Sequence, residues 1–215
     1  MPFNYKIPDN IDPKLFECFY NEIFYEYEYD RFGVSVEPGD VVLDAGANIG
    51  LFTDYALIRG AQKIISIEAD LEIYKTLRQN ITSKKVLFEC GLVSDKVDDG
   101  HYNLEKIFKY FDLSTIDFAK IDIEGYEYDF ILNSNTNFLN KIKKMVIEVH
   151  LFSNEHLHLF SNEHLLNLTL NLIEKLSING FKVYYYKAHP NTNLGLIYAQ
   201  NESFSKLSPS HDTDL

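Results

Sequence analysis

Two acids stand one residue apart just past an apolar run, in the string Lys120-Ile-Asp-Ile-Glu-Gly-Tyr-Glu127. Alternation along an extended chain points Asp122 and Glu124 to the same side. Two carboxylates on one side of a crevice can orient a substrate hydroxyl, take its proton or hold a cation. Glu148 and His150 close a second apolar run, Lys144 to Val149. His150 is the histidine placed where a general base is useful. Asp122, Glu124 and His150 are therefore the catalytic candidates. A divalent cation held by Asp122, Glu124 and Glu148 is the alternative way to activate a hydroxyl, with a side-chain base favoured over it. A bland reading competes with both: a solvated strand end and an acidic helix start that suits the helix dipole.

A second set lies upstream. Val41-Val-Leu-Asp44 runs straight into Ala45-Gly-Ala-Asn-Ile-Gly50, and a helix-compatible stretch, Leu51 to Ile58, follows. Nucleotide-type cofactors bind at such strand-to-helix turns in open α/β sheets. Glycine lets backbone approach a ligand because no Cβ intervenes. The dinucleotide fingerprint G-x-G-x-x-G fails here, because Asn48 stands at its second glycine. That argues against a nicotinamide-dependent oxidoreductase. A buried carboxylate without donors is costly. Asp44 should therefore meet the amides of the glycine turn and a cationic or hydroxyl group of a ligand. Glu68 ends the next apolar run, where an acid accepts ribose hydroxyls in doubly wound folds.

The elements that must position these residues alternate. Strands are expected at 41–43, 63–67, 86–90, 118–121 and 144–149, and a hairpin-like pair at 181–186 and 194–199. Helices are expected at 14–29, 51–59, 70–80, 104–111, 126–132 and 165–179. In the helix expected at 70–80, Leu71, Tyr74, Leu77 and the following Ile81 share one face. Asp12-Pro13 supplies a helix start and Gly180 a helix stop. Such alternation gives a doubly wound, mostly parallel seven-stranded sheet with helices on both faces and an antiparallel last strand. The expected organisation is one domain over 1–215, with an aromatic N-terminal segment (1–36) and a flexible polar tail (203–215).

The strings Asp44-Ala-Gly-Ala-Asn-Ile-Gly50, Ile67-Glu-Ala-Asp70, Phe118-Ala-Lys-Ile-Asp-Ile-Glu-Gly125 with Glu127, and Val146-Ile-Glu148 together resemble the FkbM family of methyltransferases over about residues 35 to 150. Lys-Ile-Asp-Ile-Glu-Gly is the most family-specific piece. The resemblance implies a class I methyltransferase fold, Rossmann-like, that uses S-adenosylmethionine and yields S-adenosylhomocysteine. It implies methylation of a hydroxyl on a sugar, glycan or small natural product. The cofactor would lie against Asp44, Gly46, Ala47, Asn48, Gly50, Glu68, Ala69, Gly91, Leu92 and Asp122, with Glu68 on the ribose. Ala69 stands where the family often has proline.

Composition narrows the rest. The chain has 215 residues, 46% of them hydrophobic and 24% charged, as in soluble globular proteins. A net charge of −12 repels phosphate backbones and disfavours nucleic acid as a partner. No apolar run is long enough to span a bilayer, and the N-terminus does not read as a signal peptide, so no membrane partner and a cytoplasmic location are expected. Cys18 and Cys90 lack metal-ligand spacing and are expected to be buried thiols. Tyr- and Phe-rich residues 19–29 are core, a lid over the cofactor or a homodimer surface. Leu151-Phe-Ser-Asn-Glu-His-Leu157 recurs as Leu159 to Leu165 and clusters His150, His156, His158 and His164, without a clean metal-ligand set. Protein methylation and a cofactor-binding module without turnover remain the competing functions.

Overall fold

The computed structural model describes residues 5–8, 11–150, 162–187 and 194–205. Nine strands are described: β1 (Val41–Ala45), β2 (Lys63–Glu68), β3 (Val86–Cys90), β4 (Leu92–Val93), β5 (His101–Tyr102), β6 (Ile116–Ile121), β7 (Ile142–His150), β8 (Phe181–Lys187) and β9 (Leu194–Asn201). The helices are α1 (Pro13–Phe24), α2 (Leu51–Ile58), α3 (Leu71–Asn80), α4 (Leu104–Tyr110), α5 (Glu127–Leu132), α6 (Thr136–Leu139), α7 (Asn162–Ile178) and α8 (Glu202–Ser205). Seven strands form one sheet in the order β3-β2-β1-β6-β7-β9-β8, and β4 and β5 form a separate two-stranded ribbon. Only β9 runs against the others of the large sheet, pairing antiparallel with both β7 and β8.

Alternation divides the core between two faces. Leu43, Ile65, Ala119 and Ile147 pack toward α4, α5, α6 and α7 through Ile107, Phe130, Leu139 and Leu172. Their neighbours Val42, Ile64, Phe118 and Val146 pack the other way, onto Phe52, Tyr55 and Ala56 of α2 and Leu77 of α3. Strands buried on both faces explain the near-continuous apolar runs in the sequence. The sheet order reverses between β1 and β6, which opens a crevice beyond their carboxyl ends.

Local signals held where they were strongest. The Asp12 side chain accepts from the Lys14 amide and caps α1, with Pro13 at its first position. Asp70 caps α3 through the amides of Glu72 and Ile73. Three expectations fail. The first helix stops at Phe24 rather than near 29, and Tyr27 turns the chain with φ 53°. Leu71 is 55% exposed, because it precedes the turn of α3 that meets the sheet. Cys18 is exposed and Cys90 half-buried, since α1 buries Phe16 and Tyr20 and turns Cys18 outward. The four-residue α6 was too short to read from periodicity. His156, His158, most of the duplicated segment, the expected turn at His189-Pro190-Asn191 and residues 206–215 of the expected tail lie outside the described residues.

One contact ties the far end of β7 to the helical layer. The Tyr128 hydroxyl of α5 donates to the His150 carbonyl oxygen at 3.1 Å and meets the Thr169 hydroxyl of α7 at 3.0 Å. All three residues are buried. Tyr128→Phe should therefore lower stability by about 1–2 kcal/mol, read from the urea midpoint at constant slope. An unchanged midpoint would show that neither bond matters to the fold.

Candidate functional site

Two cavities open side by side at the reversal point. The first, about 270 Å³, is lined by Glu28, Tyr29, Phe52, Lys120, Glu148 and His150, among others. The second, about 280 Å³, is lined by Gly46, Ile67, Glu68, Ala69, Ile73, Gly91, Leu92, Val93 and Tyr126, among others. Asn48, Asp122 and Glu124 border both. The structure thus brings together the four strand ends that the sequence had marked separately.

The glycine turn is built differently from expectation. The Gly46 and Ala47 amides donate to the Ile67 carbonyl oxygen at 3.0 and 2.9 Å, extending the β1–β2 ladder, and so are not available to Asp44. Asp44 is fully buried and opens onto neither cavity. It takes the Thr53 hydroxyl at 2.6 Å and faces the Lys120 ammonium at 3.5 Å. Register explains the pairing, since Asp44 and Lys120 are partners across β1 and β6. Lys120 also lies 3.2 Å from Asp122 and donates to the Gly46 carbonyl oxygen at 2.6 Å. Burial alone would lower the Lys120 ammonium, but Asp122, Asp44 and Glu148 outweigh it and raise it. Burial pushes the Asp44 carboxyl up, against the pull of Lys120 and Thr53.

Nor do the glycines serve a ligand alone. Gly46 has φ 76°, and a Cβ there would sit 1.7 Å from the Asp122 carbonyl oxygen. A Cβ on Gly50 would meet Ile81 and Leu77 at 2.8 Å, and Gly50 borders neither cavity. Asn48 adopts φ 49°, so asparagine supplies the left-handed residue that a second glycine would otherwise give. Ala47 faces the first cavity rather than the second.

The remaining expected cofactor residues do meet. Gly46, Asn48, Glu68, Ala69, Gly91, Leu92 and Asp122 all border the second cavity. Glu68 accepts the Asn48 amide and the Asp70 amide, each at 2.8 Å, one on each carboxylate oxygen. Burial raises its carboxyl, and those amides and Lys120 oppose the rise. Each oxygen keeps a lone pair for a further donor. Apolar walls with one acid that accepts hydroxyls suit a nucleoside, and the nearby Asp122 suits a cationic group.

The first cavity is acidic. Glu22, Glu28, Asp122, Glu124 and Glu148 face Lys120 and His150, over the rings of Phe19, Tyr29 and Phe52. The Tyr29 hydroxyl donates to Glu148 at 3.3 Å. Burial, reinforced by Glu22, pushes the Glu28 carboxyl up to about 7. His150 Nε2 lies 3.5 Å from Glu124 and Nδ1 3.2 Å from Glu127. Burial would lower the imidazole, but Glu127, Glu148 and Asp122 outweigh it and push it up to about 9. With no cation beside it the imidazole therefore favours its protonated form, a poor state for the base expected at His150. Glu124 sits in a left-handed turn, φ 54°, with its side chain 81% exposed on the shared rim.

Glu28, Lys120 and Glu127 carried no assigned role in the sequence reading. Glu28 comes from the aromatic segment, where no periodicity marks it. Lys120 did leave a signal: a lysine in an apolar strand needs an acid, and Asp44 is the buried one.

Comparison with known proteins places this geometry. Residues 87–183 match the model of the methyltransferase FkbM domain. The 31-O-demethyl-FK506 methyltransferase FkbM of Streptomyces tacrolimicus is 57% identical over 37 residues, 17% of this chain and 14% of that one. The AMB antimetabolite synthetase AmbE of Pseudomonas aeruginosa is 24% identical over 62% of this chain and 9% of that one. The chain therefore spans a small part of each of these relatives. Among solved structures, Aeropyrum pernix fibrillarin with natively bound S-adenosyl-L-methionine superposes with a TM-score of 0.55 at 13% identity, covering 80% of this chain and 71% of that one. A Streptococcus mutans protein in complex with SAH gives 0.55 at 19% identity, covering 81% and 96%. These likenesses carry the fold. From β3 into β8 the chain thus matches the methyltransferase FkbM domain, on a sheet that has the class I methyltransferase fold.

Proposed function

We propose that this chain methylates a hydroxyl of a small, polar acceptor such as a sugar or hydroxylated natural product. The observation that carries the reading is the pair of cavities joined at Asn48, Asp122 and Glu124. The second cavity would hold S-adenosylmethionine, with Glu68 on the ribose hydroxyls and Asp122 near the charged end. When bound, the cofactor supplies an activated methyl: an acceptor oxygen lone pair takes the carbon, and the sulfur–carbon pair returns to sulfur. The protein's share is to align the acceptor and remove its proton. Asp122 and Glu124, on the border of both cavities, are the groups placed to take it. Carboxylates that accept hydroxyls stand beside the Phe19, Tyr29 and Phe52 rings in the lining, a mix of polar and apolar groups that suits a sugar ring.

The Streptomyces relative is named for methylation at an oxygen, which favours a hydroxyl acceptor. Five carboxylates around the cavity and a net charge of −12 disfavour nucleic acid. Among the described residues no helix is long and apolar enough to cross a membrane. A cytoplasmic setting fits this reading.

Calorimetric titration with S-adenosylmethionine and S-adenosylhomocysteine, beside NAD, tests the cofactor. Both sulfur compounds should bind, and Glu68→Ala should weaken them by about tenfold or more, the worth of a charge-assisted hydrogen bond. Preference for NAD would sink the reading. Binding without methyl transfer to any hydroxylated acceptor would leave a cofactor-binding module instead.

A further inference from the structure

Beside the acceptor cavity three groups from three separate elements converge. Asp122 follows β6, Glu127 opens α5 and His150 ends β7. Each offers a ligand atom, and these atoms lie within 4.8 Å of one another. Glu127 is fully buried. Its Oε1 accepts the amides of Ile123 at 3.1 Å and Gly125 at 3.0 Å, while its Oε2 has no hydrogen-bond partner. His150 is 4% exposed, and its Nδ1 also lacks a well-directed hydrogen bond despite lying 3.2 Å from Glu127 Oε1. A buried carboxylate oxygen and a buried ring nitrogen left without partners are each costly, and folded proteins rarely leave two together.

The surroundings favour a cation. Glu124, Glu148 and Glu28 face the same cavity, and its lysine is already engaged by Asp44, Asp122 and the Gly46 carbonyl oxygen. We propose that Asp122, Glu127 and His150 bind a divalent metal ion on the wall of the acceptor cavity, where it takes the acceptor's hydroxyl oxygen as a further ligand. The ligand set differs from the Asp122, Glu124 and Glu148 considered from sequence: Glu127 replaces the exposed Glu124, and His150 adds a nitrogen. One imidazole with two carboxylates suits Mn²⁺, Co²⁺ or Zn²⁺ better than Mg²⁺, which prefers oxygen and water.

The proposal rests on the methyltransferase reading. An ion on the oxygen lowers the proton affinity of an alcohol. The hydroxyl proton passes to a cavity carboxylate, the oxygen–methyl bond forms, and the sulfur–methyl bond breaks to leave a neutral thioether. No electron is gained or lost by the ion.

The test uses the full chain after exhaustive chelation. Manganese(II) chloride is titrated by calorimetry and followed by the loss of its free-ion paramagnetic resonance signal, with S-adenosylhomocysteine titrated in parallel. One Mn²⁺ per chain should bind, and Glu127→Gln and His150→Gln should each weaken it by about tenfold or more while S-adenosylhomocysteine binding stays unchanged. Glutamine at 127 keeps an oxygen for the two loop amides, and if that variant does not fold, His150→Gln decides alone. A chain that binds S-adenosylhomocysteine but no Mn²⁺ overturns the metal site and leaves the methyltransferase reading standing. Mn²⁺ binding unaffected by either substitution places the ion elsewhere and also overturns it. A chain that binds Mn²⁺ but not S-adenosylhomocysteine fails the underlying reading instead.

Discussion

Lys120→Met should destabilise the fold by about 3–5 kcal/mol, the cost of stranding a buried charge whose partner has been removed. Asp44 is fully buried, and Lys120 is 4% exposed. Thr53 would remain as Asp44's one hydrogen-bond donor. Methionine keeps most of the volume, so the loss reports charge rather than a cavity. Adding Asp44→Asn to Lys120→Met should recover much of it, because a neutral amide needs no counter-ion. Urea denaturation of the two single variants and the double variant measures the coupling directly. A loss below about 1 kcal/mol for Lys120→Met would mean that Asp44 is neutral in the fold and that the lysine serves the cavities alone.

Gly46→Ala is the other large effect. The new Cβ would lie 1.7 Å from the Asp122 carbonyl oxygen, and φ at this residue is 76°. Neither backbone can give way easily. The Asp122 amide is bound to the Ala45 carbonyl oxygen at 3.1 Å and the Gly46 amide to that of Ile67 at 3.0 Å. Left-handed strain adds about 1–3 kcal/mol and overpacking a similar amount, so about 2–6 kcal/mol is expected, enough to unfold a marginal domain. Gly180→Ala is the control. Its φ is 82°, but no atom lies within 4 Å of its Cβ position, so only the conformational cost of about 1 kcal/mol should appear. Equal melting temperatures for the two variants would refute the clash.

The fold was largely legible because its signals are local. Double-sided burial wrote apolar runs at each strand, and Asp12 and Gly180 marked helix ends. The second cavity was legible for the same reason: its residues sit at strand ends, where motif and position coincide. What escaped depends on register and long-range placement. Asp44 and Lys120 are 76 residues apart and meet only because β6 pairs with β1 in one alignment. The order of strands around β1 then decides that Asp44 faces inward to lysine rather than outward to a ligand. Gly46 was read as an approach for a cofactor, yet its missing Cβ first makes room for a neighbouring carbonyl. Glu28 enters the acceptor cavity from the N-terminal segment, whose path no periodicity foretells. His150 was read as a base from its position alone; Glu127, Glu148 and Asp122 around it favour its protonated form instead.

The placement of β9 has a consequence for how the chain is made. β9 is inserted between β7 and β8 and pairs with both, although it follows both in the chain. Until residues 194–201 emerge, the outer edge of β7 has no partner, and that strand carries Glu148 and His150. Every other strand of the site can pair with a neighbour already synthesised. The acceptor wall is thus completed last, and a nascent or trimmed chain that stops short of Leu194 exposes a long apolar strand edge of the kind that recruits other chains. β9 contributes little chemistry of its own, yet it decides whether the wall that carries Glu148 and His150 has a partner.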